Sequence, residues 1–166
     1  MYELKPLHPE AVSAALEKAE RYRLLNEARE AESICLDVLE VEPGNQRALV
    51  ILLLAMTDQF EREVAGTLHR AQEVVARLED PYSRAYYGGI VCEREAKARL
   101  KRGGPHSGTV AYEWLRRALD HFAEAERLKP AGNDDAILRW NTCVRILSTH
   151  PHVRPEAPEP VEHLLE

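Results

Sequence analysis

Aromatic residues make up only 6% of the chain, so aliphatic side chains and alanine must build most of its core. Cysteine is also scarce. Cys35, Cys92 and Cys143 are odd in number and far apart, a pattern that does not make a disulfide framework. It suits a reducing cytoplasm in which each thiol is a small buried apolar group. Long apolar runs are missing: the longest, ALVILLLAM at 48–56, is far short of the roughly 20 residues needed to span a bilayer. The opening MYELKPLHPE has no apolar core of a secretory signal. Excess positive charge is absent too. With 22 Lys and Arg against 28 Asp and Glu, the net charge is −6, which argues against an unspecific grip on nucleic acid and against anionic membrane surfaces. A local basic patch remains compatible with that total. No segment alternates convincingly between apolar and polar in the manner of a strand.

What is present is helical spacing over a length that suits one domain. Val12, Ala15, Leu16, Ala19 and Tyr22 mark a first helix face. Pro9 suits its first turn, and Asn26, tolerant of the left-handed conformation, suits its end. Ala28, Ala31, Ile34, Cys35, Val38 and Val41 mark a second, broken at Pro43-Gly44-Asn45. A third helix over 46–59 is apolar on most sides and is expected to be buried on both flanks. The spacing predicts a fourth over about 62–79, including Val64, ended by Asp80-Pro81. A fifth follows over 82–101, then a GGPHSG loop at 103–108. A sixth over 109–128 stops near Pro130–Asn133, and a seventh covers 134–148. The proline-rich remainder reads as an extended tail, with VEHLLE as a candidate short docking turn. Seven helices on short connections imply an all-α array of antiparallel pairs.

The chain also echoes itself. With Pro43 aligned on Pro130, Ala31 falls on Ala118, Cys35 on Phe122, Val38 on Ala125 and Val41 on Leu128. Asn45 and Ala48 match Asn133 and Ala136 with a one-residue shift. A small residue at Ala31 or Ala118 lets two helices approach and a bulkier one fills the adjacent groove. The prolines end one unit and open the next. This pattern resembles the tetratricopeptide repeat, a helix–turn–helix unit, most closely at 13–45. There Tyr22, Asn26, Glu30-Ala31, Cys35, Val38, Leu39 and Pro43 fall on the motif. Ala118, Phe122, Ala125 and Pro130 give the second match, with Trp140 where the following helix would pack a large apolar residue. The resemblance implies an α-α superhelix: a helical domain over 1–149 with repeats at about 12–45, 46–81 and 82–130, a capping helix at 134–148, and a tail at 150–166. The middle unit is degenerate and the third is long.

Repeats of this kind stack into a curved solenoid whose first helices line a concave groove. The resemblance therefore implies an adaptor or scaffold that holds a peptide or helix of another protein, in a chaperone-like or assembly role, without nucleic acid, membrane, cofactor, metal or catalysis. The groove-facing positions it implies are Leu16, Glu20 and Arg23 in the first unit, and Arg47, Val50, Leu54 and Asp58 in the second. In the third they are Tyr82, Tyr86, Ile90, Glu93 and Arg94. Tyr and Arg are good interface anchors. The paired Lys and Asn with which some members of that family clamp a peptide carboxylate are not evident.

Two rivals stand beside this reading. One is a structural homo-oligomer that associates through the groove or the end helices. The other is a small enzyme using His106 and Ser107 in the 103–108 loop, although adjacent residues on a loop rarely converge on one substrate atom and no orienting third group is visible. His150 and His152 are too few for a metal site. His121 reads as a surface helix residue. Gly88-Gly89 inside a helix costs about 1 kcal/mol per glycine against alanine and points to close approach of a neighbouring helix.

Overall fold

The computed structural model describes residues 1–62 and 65–157. Among them it contains seven α-helices and no strand: α1 (Val12–Leu24), α2 (Ala28–Val41), α3 (Gln46–Thr57), α4 (Thr67–Ala76), α5 (Pro81–Arg102), α6 (Ser107–Leu128) and α7 (Asp135–Thr149). Two short 3₁₀ turns lie at Pro9–Ala11 and Phe60–Arg62. Each helix packs on the next, and the odd-numbered helices also touch in series, α1 on α3, α3 on α5 and α5 on α7. The most extensive contact joins α5 to α6. None of the described helices is long and apolar enough to cross a membrane.

The turns follow from their residues. Asn26 adopts φ 63° at the end of α1, and the Glu27 amide reaches back to the Tyr22 carbonyl at 2.9 Å, closing the helix as a left-handed residue allows. Asn45 caps α3, its side chain accepting from the Ala48 amide at 2.9 Å. Asp80 caps α5, accepting from the Ser83 amide at 3.0 Å, and Pro81 fills the first helical position, where its missing N–H costs nothing. The Ser83 hydroxyl and amide hold the Asp80 carboxyl below the usual carboxylate range.

Some boundaries differ from expectation. The single fourth helix predicted over 62–79 is a 3₁₀ turn, a break and a ten-residue α4. Gly66, at φ 82°, supplies the left-handed bend before α4; Val64, counted on that helix's apolar face, lies outside the described residues. Helix α6 begins earlier than predicted, so Ser107 and Gly108 are helical and the loop is confined to 103–106. Trp140 is not the main packing residue of α7. It remains about a third exposed, and Ala136 and Cys143 are the buried positions.

The aligned ladder is where the core sits. Ala31, Cys35 and Val38 in α2, and Ala118, Phe122 and Ala125 in α6, are all 0% exposed. Helix α3 is buried at Ala48, Leu49, Ile51, Leu52, Leu53, Ala55 and Met56, which matches its nearly continuous apolar run. All three cysteines are buried and free. The glycines of α5 are explained by its neighbour: a Cβ on Gly89 would lie 2.5 Å from Cε1 of the Phe122 ring. One on Gly88 would meet the His121 imidazole at 2.9 Å.

The chain after α7 is anchored at its start. Val153 is buried in the cluster that also holds Phe122 and Leu115, and the His152 carbonyl lies against Gly108, where any Cβ would collide. The 161–166 segment lies outside the described residues.

Candidate functional site

Four odd helices bring their polar side chains to one cavity of about 560 Å³, lined in part by Arg23, Asp58, Arg94, Lys97 and Arg139. Arg23 comes from the last turn of α1, and Asp58 follows the end of α3. Arg94 and Lys97 are three residues apart on α5, hence on one helix face, and Arg139 comes from the start of α7.

The charges fall into two clusters. Asp58 is shared by two arginines: Arg94 Nη1 donates to Oδ1, and Arg23 Nε lies 2.8 Å from Oδ2. That second contact is an ion pair without hydrogen-bond alignment, and Arg23 Nε is buried with no acceptor in line. Glu93, wholly buried, is likewise shared by two cations. Lys97 and Arg139 both approach its Oε1, the latter at 3.4 Å, while Oε2 has no donor. Burial works against the charge on Arg139, but the Glu93 carboxylate and the Tyr86 hydroxyl outweigh it and raise its pKa. A buried carboxylate is tolerated only with such partners, because an isolated ion costs several kcal/mol to bury.

The expected groove residues divide accordingly. Arg23, Asp58 and Arg94 meet in the cavity, and Glu93 lies beneath its cations. Arg47 instead pairs with Glu20 across α3 and α1 at 2.8 Å, on the open surface. Leu54 is partly buried between two core clusters, as is Val50 against the first of them. Leu16 is buried. Tyr82 and Tyr86 stack on each other at 5.8 Å, and Tyr82 OH accepts from Asn133 Nδ2 at 3.1 Å. They serve the α5–α6–α7 packing rather than lining the cavity. Ile90, at 2% exposure, is a core residue and not a contact residue. The sequence reading missed Lys97 and Arg139. Spacing of three from Arg94 was the available signal for the first. Arg139 lies on the seventh, capping helix, which carries no local signal that it would reach the cavity.

Elsewhere, His106 adopts φ 62° and is exposed. It borders a pocket with Ser107, Thr109, His152 and Arg154. The His150 and His152 rings are 5.9 Å apart, and the described residues contain no group of three or more His, Cys, Asp or Glu placed to hold a metal.

Family models, curated proteins and solved structures yield no match to this chain.

Proposed function

We propose that this chain is a tetratricopeptide-like adaptor of the cytoplasm, which binds a segment of a partner protein on the face formed by α1, α3, α5 and α7 and performs no chemistry of its own. The observation that carries this reading is the shared cavity, in which four helices that are distant in sequence present arginine, lysine and aspartate side chains together. The contacts of odd helices with one another support the solenoid form, as do the two wholly buried ladders at 31–38 and 118–125. In such a stack the odd helices line the concave side.

Capture of partners on the immobilised intact chain, followed by cross-linking mass spectrometry, tests the reading. Cross-links are expected to cluster on α1, α3 and the second half of α5. Capture is expected to be lost in an Arg23→Glu, Arg94→Glu variant that still melts cooperatively. Cross-links confined to other faces, or capture indifferent to the double variant, contradict it.

A second reading has its own observation. Leu138, Trp140 and Val144 are exposed on α7, the last described helix, and apolar side chains left open at the end of a helical stack suit self-association. Sedimentation across a dilution series separates the two: a dimer that persists on dilution and occludes Arg23 and Arg94 favours self-association over partner binding.

A further inference from the structure

We propose, building on the adaptor reading, that the bound segment is acidic: an extended peptide whose Asp or Glu carboxylates engage Arg23 and Arg94 at one part of the cavity and Lys97 and Arg139 at another. The chain as a whole is acidic, at −6, yet this cavity is not. Its lining carries four cations against the carboxylates of Asp58 and Glu61, and Glu61 is engaged by Lys101 at 2.6 Å.

The excess is built in. Each inner carboxylate is divided between two cations, Asp58 between Arg23 and Arg94, and Glu93 between Lys97 and Arg139. Among the described residues, each cluster is therefore one negative charge short of neutral. Glu93 is sealed beneath its partners and does not line the cavity, so the surface an arriving ligand meets is that of Lys97 and Arg139. A guanidinium has five N–H donors and an ammonium three, more than one shared carboxylate can satisfy. Charge-assisted bonds to carboxylates are the strong response to that surplus. Because the excess is split between two clusters, two singly charged groups spaced along a peptide match it better than one doubly charged phosphate.

Panning a random-peptide phage library on the intact chain tests this, with the best binder then synthesised alongside a version carrying Gln for every Glu and Asn for every Asp. The recovered peptides are expected to be rich in Asp and Glu. The amide version is expected to bind at least about tenfold more weakly by fluorescence anisotropy, as loss of charge-assisted bonds requires. Raising salt from about 50 mM to about 500 mM should weaken the parent peptide by a similar factor. Lys97→Gln and Arg94→Gln should each reproduce the loss, and Arg116→Gln, on the exposed side of α6, should not. The amide peptide and the salt series use the unaltered protein, so the test does not depend on variants folding. Peptides that compete for the cavity without acidic enrichment, or an amide version that binds equally, overturn the proposal while the adaptor reading stands. A library that yields no binder overturns both.

Discussion

The α2–α3 and α6–α7 segments use the same ladder at different sizes. Ala31, Cys35 and Val38 on one side, and Ala118, Phe122 and Ala125 on the other, are equally buried. In the middle position the first has a thiol and the second a phenyl ring. The ring is accommodated by the neighbour, since Gly89 of α5 leaves the space that the Phe122 edge occupies. The turns differ in kind as well. Asn45 caps α3 through the Ala48 amide, whereas Asn133 accepts from the Asp135 amide at 3.0 Å and donates to Tyr82 OH. A repeat pattern thus determines which positions are inside, while residue size is settled between neighbouring helices.

The middle position should break that equivalence most. Phe122→Ala is expected to cost about 3–5 kcal/mol and Cys35→Ala about 1 kcal/mol, since the lost transfer energy and the residual cavity scale with the atoms removed. Urea unfolding measures both, and equal costs would show that the two ladders are not packed as described. Enlarging the close-approach alanines should restore the equivalence. Ala31→Leu and Ala118→Leu are each expected to cost about 1–3 kcal/mol by overpacking.

Gly89→Ala sharpens the account of how the ring is accommodated. Helix propensity alone would stabilise by about 1 kcal/mol, so a net loss of stability measures the clash with Phe122. That loss should shrink in a Phe122→Leu background, where a double-mutant cycle isolates the coupling. Gly88→Ala should cost less, because the exposed His121 ring can move aside. The caps come next: Asn45→Ala is expected to cost about 1 kcal/mol, measured by the same unfolding curves.

The thiols give the smallest perturbation. Burial pushes Cys35 and Cys143 up to about 12 and Cys92 up to about 11. None is a thiolate near neutral pH, so a thiol-reactive reagent should find no fast-reacting cysteine in the native chain and three after unfolding. Fast native labelling of Cys35 alone would indicate that the α2 ladder opens more readily than the α6 ladder.

Helix content and the buried ladder were legible in the sequence because both rest on local periodicity and on Ala, Pro and Asn at fixed spacing. The division of 62–79 into a turn and a short helix was less so: its apolar positions fit one continuous helix, and Gly66 alone signals the bend. The candidate site was legible only in part. Arg23, Asp58 and Arg94 stand at offsets that the repeat resemblance implies for a groove and line one cavity, whereas Ile90 and Tyr82 stand at such offsets but pack against residues of α6 and α7. Helices α5 and α6, at 22 residues each, are longer than the other five described helices and make the most extensive contact between elements, which buries Ile90 between them. Lys97 and Arg139 line the cavity together only because α7 packs on α5, a long-range contact that no local pattern encodes.

The central claim is that a partner segment occupies the cavity among α1, α3, α5 and α7. Chemical-shift mapping on the isotopically labelled chain, titrated with a captured partner peptide, tests it most directly. The account predicts the largest changes at Arg23, Asp58, Arg94, Lys97 and Arg139. Changes concentrated at Leu138, Trp140 and Val144, or in the 103–106 loop, with the cavity residues unmoved, would contradict it.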